Sequence, residues 1–307
     1  MKMSEILYAL NPNLKYMILK EQEFDTLGLV DAEGNQRFAT FMDDEKQIGK
    51  IKNNISMVFT TEALKQQLSN GEFGLIIVEN PRILFFCVHN YLENDLHYNP
   101  KSQSTKIDSS AKISSLAYIA QNDVHIGTGV IIEQFVSIYP HVTIEDDSII
   151  RAGATIGGVG FEFKRNDDSI MPVRHLGNVK IEKNVEIQNN ASVDRAVFPW
   201  DSTYIGENTK LDNFVHIGHA AKIEKNVLIA AHACIGGRTV IMPNAWIGIG
   251  AIVQNGIRIG CGARVNMGAV VTKSISDGQS VTGNFAIDHQ KFMSNLKNIK
   301  RKIDGIS

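Results

Sequence analysis

The sequence predicts a mainly β protein: a hexapeptide parallel β-helix, preceded by a small α/β domain and followed by one helix. Three observations carry this. From Ile205 to Val271 every sixth residue is aliphatic, twelve times without a miss: Ile205, Leu211, Ile217, Ile223, Ile229, Ile235, Ile241, Ile247, Val253, Ile259, Val265 and Val271. Two residues before each, the chain prefers small or β-branched residues, as at Thr209, Val215, Ala221 and Ala233. One residue after, Gly is frequent, at Gly206, Gly218, Gly236, Gly248 and Gly260. A period of six fits neither an α-helix nor a half-buried strand. It is the period of a parallel β-helix, whose short strands each send one large side chain inward. The small companions leave room for that side chain in a narrow prism. The glycines are expected to supply the unusual backbone angles of the sharp turns.

Residues 1–104 show no such period and read as an α/β domain. Residues 74–78 form an apolar run that suits a buried strand. Glu79-Asn80-Pro81 is a turn, and Pro81 suits a helix start, with an apolar helix over 82–92. Residues 99–102 are the expected linker. The β-helix should then occupy 105–283. Ile107, Ile113 and Ile119 start its ladder, a one-residue slip precedes Ile126, and Ile132, Ile138, Ile144, Ile150 and Ile156 continue it. Ile181, Ile187 and Val193 resume it after a break at 157–177, and a shorter irregular stretch spans 196–202. Loops ejected from a solenoid tend to share a face and often bind ligands. Residues 284–307 hold the terminal helix, expected over 288–303. Asp288 can cap it, and Phe292, Leu296, Ile299 and Ile303 follow helical spacing. Lys291, Lys297, Lys300, Arg301 and Lys302 make its other face basic.

Composition narrows the function classes. The chain has 307 residues and a net charge of −2, so nothing suggests a nucleic acid or other polyanion as partner. Three cysteines, Cys87, Cys234 and Cys261, show no paired spacing and read as reduced thiols of a cytoplasmic protein. No signal peptide is evident, and no apolar stretch approaches the roughly 18 residues of a membrane span. Any lipid-linked role is therefore expected from the aqueous side.

The chemistry is sought where the ladder carries polar groups. His219 lies two positions after the inward Ile217, at a turn on the outside of the prism. One coil of three hexapeptides above it is Gly237; one coil below is Asp201, if 196–202 stays in register. A histidine under a glycine amide offers a general base and an oxyanion donor together, which is what acyl transfer needs. From the ladder alone, a solvated turn residue is the simpler account of His219. His216 should face outward from its strand, one step away, and His232 should lie on another side. His-x-x-His without a third ligand is a weak metal signal, so no metal is expected.

Further segments carry a resemblance. Gly157-Gly158-Val159-Gly160-Phe161-Glu162-Phe163, His175-Leu176-Gly177-Asn178-Val179, Ala191-Ser192-Val193-Asp194-Arg195 and Leu211-Asp212-Asn213 through His219 resemble motifs of the hexapeptide-repeat acyltransferases. Among these they are most similar to the UDP-3-O-(3-hydroxyacyl)glucosamine N-acyltransferases of lipid A synthesis. Thr40-Phe41-Met42 resembles that group's N-terminal nucleotide-binding domain. The resemblance implies a left-handed β-helix, a homotrimer, and active sites in clefts between subunits. It implies His219 as general base and Gly237 as oxyanion donor, the pair the stacking had suggested. Asp194 and Asp212 are candidate orienting acids. Phe41, Gly160, Phe161, His175, Asn213 and His216 are candidate substrate-binding residues.

Three departures bear on the substrates. A second active-site histidine of the lipid A group falls near Asn255-Gly256 and is absent. Gln47 stands where a second aromatic should sandwich uracil with Phe41. The runs 268–273 (GAVVTK) and 281–286 (VTGNFA) instead resemble acetyl-CoA-dependent N-acetyltransferases of nucleotide-linked amino sugars. That likeness implies a CoA site at Gly250, Gly268 and Lys273.

The expected function is N-acyl transfer from a thioester to the amine of a nucleotide-linked amino sugar, for surface polysaccharide or lipopolysaccharide (O-antigen) synthesis. Acyl-CoA is the favoured donor, with acetyl-CoA foremost. The alternative is a lipid A enzyme using a 3-hydroxyacyl carrier protein, for which the basic terminal helix would suit an acidic partner. A rival of another class is a zinc-dependent, carbonic-anhydrase-like lyase, with His216, His219 and His232 as its candidate ligands. A purely structural trimeric scaffold is a third reading.

Overall fold

The computed structural model describes residues 1–166, 169–283 and 286–303, with side chains up to residue 299. Asn284 and Phe285 of the 281–286 run lie outside the described residues, as do the side chains of Lys300, Arg301, Lys302 and Ile303.

The N-terminal part is a five-stranded sheet in the order Met17–Lys20, Gly74–Ile77, Ile55–Thr60, Phe38–Met42, Thr26–Leu27. The first pairing is antiparallel and the others are parallel. Buried on both faces, strands Phe38–Met42 and Ile55–Thr60 are apolar throughout apart from Thr40, Ser56 and Thr60. Pro81 begins the helix Pro81–Tyr91, where its missing N–H costs nothing. That helix and Met3–Leu10 cover one face, closing an aromatic core around Phe41, Phe59, Phe85 and Phe86.

From Lys106 to Val281 the chain winds into three parallel sheets of nine, eight and eight strands. The ladder aliphatics form one continuous core, with Ile205, Ile217, Ile223, Ile235 and Ile247 fully buried. The register is the sequence period made visible. Ile217 pairs with Ile235 and Ile235 with Val253, one coil apart. Lys106 pairs with His125, which is the slip before Ile126. Residues 157–177 leave the prism: Ile149 pairs with Glu186, so this coil takes 37 positions instead of 18. The ejected segment folds into the antiparallel hairpin Phe163–Asn166 and Ser169–Pro172.

The glycines after the ladder residues do a different job from the one expected. Their φ is not positive; the left-handed turn residues lie three after each aliphatic, as at Asn208, Asn226, Asn244, Gly250 and Gly268. Gly218 and its equivalents are instead needed for close approach. A Cβ on Gly218 would lie 2.6 Å from the amide nitrogen of Gly237 one coil above. The strand Ser280–Val281 ends the last sheet, and His289–Ile303 forms the terminal helix. Asp288 caps it, its carboxylate accepting the Gln290 and Lys291 amides. No described helix is long and apolar enough to cross a membrane.

Candidate active site

His219 follows the short strand His216–Ile217, whose alternation sends Ile217 into the core and His216 out. The pairing of Ile217 with Ile235 sets Gly237 one coil above His219. The Arg238 amide donates to the His219 carbonyl at 2.9 Å and locks the two turns together. A Cβ on Gly237 would lie 2.8 Å from Nε2 of His219, so the imidazole rests directly against this residue. Among the described residues the Gly237 N–H has no hydrogen-bond acceptor. The His219 side chain is 12% exposed. Its Nδ1 is buried without a partner, and its Nε2 meets the Glu162 carboxylate at 3.2 Å.

The coil below corrects the expected register. Ser192 pairs with His216 and Val193 with Ile217, 24 positions apart, because 196–202 inserts six extra residues. Asp194 and Arg195 therefore underlie Gly218 and His219, and Asp201 does not. Asp201 is committed to Lys222, at 2.7 Å. Burial raises the affinity of Asp194 for its proton, partly opposed by His216 and His219. Its nearest basic atom is Nε2 of His216, at 3.8 Å. His216 Nδ1 is in turn 3.0 Å from the Ser192 hydroxyl. Asp212 is not brought to His219: it accepts the amides of Asn213 and Ala231 and holds a turn.

Glu162 is the site residue that sequence reasoning passed over, although the loop around it was singled out. Burial pushes its carboxyl up, but hydrogen bonds from His219 and Lys164 and the charges of Lys164 and Arg238 outweigh this and hold it at about 2. Lys164 sits with its ammonium 4.3 Å over the Phe86 ring of the N-terminal domain. Asn90 also donates to the Pro172 carbonyl and accepts the Arg174 amide. The ejected hairpin is thus clamped to the helix Pro81–Tyr91, which fixes Glu162 over His219. An acidic residue in an ejected loop was the available signal.

His175 is buried at the back of the site, its ring 5.6 Å from that of His219. Burial first, and the charge of His219 second, push its pKa to about 4. Gly160 passes between His175 and Asp194; a Cβ there would lie 3.0 Å from His175 Nε2 and Asp194 Oδ2 alike. The resulting cleft of about 250 Å³ is lined by Phe161, Glu162, Asp194, His216, Gly237, Arg238 and Asn255, among others. Two larger cavities, about 450 and 390 Å³, lie between the linker and the first coils. His175 borders the second of them and does not itself line the cleft.

The remaining predicted residues lie elsewhere. Phe41 is in the aromatic core, 5.1 Å from Phe85, with the Arg82 guanidinium over its ring. Asn213 bonds the Asn189 amide in a turn. His232 stacks on Phe214 on that same corner and cannot join His216 and His219 around one ion. Among the described residues no group of three or more His, Cys, Asp or Glu is placed to hold a metal. Gly250 and Gly268 continue the column of Phe214 and His232, away from His219, where φ of +63° and +65° calls for glycine. Lys273 does share the corner of His219, three coils up, or about 14 Å at the usual strand spacing.

Comparison with known proteins agrees with this architecture. Residues 123–158 and 202–237 match the bacterial transferase hexapeptide (six repeats) family. The chain is 44% identical over 85 residues to the UDP-3-O-acylglucosamine N-acyltransferase of Helicobacter pylori, covering 27% of this chain and 25% of that protein. It is 38% identical over 106 residues to UDP-3-O-acylglucosamine N-acyltransferase 1 of Francisella tularensis, covering 32% and 28%. The matches thus span about a quarter of the length of these relatives. In three dimensions it resembles the UDP-N-acetylglucosamine acyltransferase of Campylobacter jejuni, with a TM-score of 0.50 and 20% identity over 64% of this chain and 82% of that one. At such identity the likeness is one of fold. The chain thus carries the bacterial transferase hexapeptide repeat over residues 123–158 and 202–237 and folds as a left-handed parallel β-helix.

Proposed function

We propose that this protein is an N-acyltransferase acting on a UDP-linked acylglucosamine in the cytoplasm. The observation that carries the reading is the pairing of His219 Nε2 with Gly237, whose N–H is free among the described residues. The acceptor amine attacks the thioester carbonyl, His219 removes its proton, and the Gly237 N–H receives the oxyanion. Holding both substrates in one cleft supplies proximity without a covalent intermediate. The names of the curated relatives support the acceptor.

They also favour the lipid A alternative over the acetyl-CoA donor expected from the sequence. A 3-hydroxyacyl carrier protein is therefore the leading donor. Lys273, implied as a CoA contact, stands in the His219 column and suits the phosphates of a pantetheine arm from either carrier. Gly250 and Gly268 have a sufficient reason in their backbone angles. The homotrimer is supported by an apolar corner exposing Leu228, Trp246, Ile249, Ile252, Met267 and Val270. Such a patch on a soluble surface suits burial against other copies.

The test is a side-by-side assay of purified protein with UDP-3-O-acylglucosamine as acceptor. A 3-hydroxyacyl carrier protein should give amide product faster than acetyl-CoA. Amide formation from acetyl-CoA alone would return the donor to the first preference. Amide from neither would contradict the activity.

A further inference from the structure

The geometry points to Glu162 as the ligand of the acceptor nitrogen, selecting a substrate that arrives as an ammonium ion rather than a neutral hydroxyl. This rests on the proposed function and goes beyond it by giving the cleft a reason to prefer nitrogen.

The argument starts from which imidazole nitrogen can work. Nδ1 of His219 is buried and has no partner, so no substrate reaches it. Nε2 is the atom that rests against Gly237, beside the oxyanion donor. Glu162 contacts this same Nε2, at 3.2 Å. A carboxylate that merely oriented the ring would sit behind it, at the other nitrogen. Glu162 sits on the reacting face, where the acceptor must come.

The charges fit a cation there. Against its burial, Glu162 is kept ionised first by His219, then by Lys164, and last by Arg238, whose guanidinium is 4.0 Å away. Lys164 approaches from behind, over Phe86, and does not line the cleft. Among the cleft-lining residues, two carboxylates, Glu162 and Asp194, face one permanent cation, Arg238. An ammonium has three N–H donors and can bridge Glu162 and His219 Nε2 at once. A hydroxyl has one and cannot.

The proton count supports two acceptors at this point. The ammonium replaces the His219 N–H as the donor to Glu162, the neutral imidazole then carrying its proton on Nδ1. The ammonium gives a first proton to the freed Nε2, which passes it to water, leaving a neutral amine hydrogen-bonded to Glu162. The amine nitrogen then bonds to the thioester carbon. His219 takes the second proton and delivers it to the departing sulfur as the C–S bond breaks. The products are amide and thiol, with one proton released. An alcohol acceptor would need only the second of these transfers.

Binding separates this inference from the activity itself. Full-length wild type and Glu162→Gln are titrated calorimetrically at pH 6.5 with UDP-3-O-acylglucosamine and with its N-acetylated, uncharged counterpart. Wild type should bind the amine about tenfold more tightly, the scale of one charge-assisted hydrogen bond. Glu162→Gln should bind both ligands about equally, while Glu162→Asp restores part of the preference. Matching thermal melts show that each variant is folded. Equal binding of both ligands by wild type, or a preference that survives Glu162→Gln, overturns this inference and leaves the proposed activity standing. Binding of neither ligand by wild type overturns both.

Discussion

The coils above residue 205 and those below it use the same hexapeptide, yet they contribute different things. The upper coils are unbroken. They supply a rigid column, His219 under Gly237, in which one group is a side chain and the other is backbone. The lower coils are broken twice. They supply Glu162 and His175 from the ejected hairpin segment, and Asp194 from a coil lengthened by six residues. The difference teaches that a strict repeat is good at placing backbone and poor at bringing varied side chains to one point. The breaks add charge and burial where the ladder alone has none.

Four changes can break or sharpen that contrast. The largest effect is expected in the regular core. Ile223 is fully buried between stacked coils, so Ile223→Ala should cost about 2–5 kcal/mol in denaturant unfolding. A loss below 1 kcal/mol would mean that the ladder is not the main source of stability. Gly237→Ala should leave the melt almost unchanged but lower kcat/KM about a hundredfold. The new Cβ would come within 2.8 Å of His219 Nε2 and displace the ring from the oxyanion donor. Near-normal activity would remove Gly237 from the mechanism.

The third concerns pH. His89 and His175 are held neutral, each at about 4 against an unfolded value of 6.5. A histidine with a lowered folded pKa contributes stability that is complete above 6.5 and lost as pH falls toward 4. Thermal melting should therefore decline between pH 6.5 and 4, while Glu162, at about 2, adds a further loss only below its unfolded value of 4.5. A melt independent of pH over 6.5 to 4 would contradict the burial of these two imidazoles. The smallest effect belongs to the hairpin's exposed edge. Phe161 is 90% exposed, so Phe161→Ala should change stability by less than about 0.5 kcal/mol. If it unfolds the protein as Ile223→Ala does, the two regions are not mechanically distinct.

What could be read from the sequence follows the same division. The aliphatic ladder, the slip before Ile126, the Pro81 helix start and the Asp288 cap are local or periodic signals, and the structure contains each. The His219–Gly237 stacking was legible because eighteen-residue counting holds in the unbroken coils. The same counting failed for Asp201, because 196–202 adds six residues to its coil. Glu162 was not legible as a partner of His219: 57 residues separate them, and docking on the helix Pro81–Tyr91 sets their contact. The role of the ladder glycines was misread because a positive φ and a close approach leave the same residue in the sequence.

The central claim is that His219 is the base of an acyl transfer. Its most direct test is mass-spectrometric product formation from UDP-3-O-acylglucosamine and a 3-hydroxyacyl carrier protein, comparing wild type with folded His219→Ala. The account predicts amide product from wild type and a loss of about 10² to 10⁴ in rate for the variant. A variant that transfers the acyl group at a near-normal rate would contradict it.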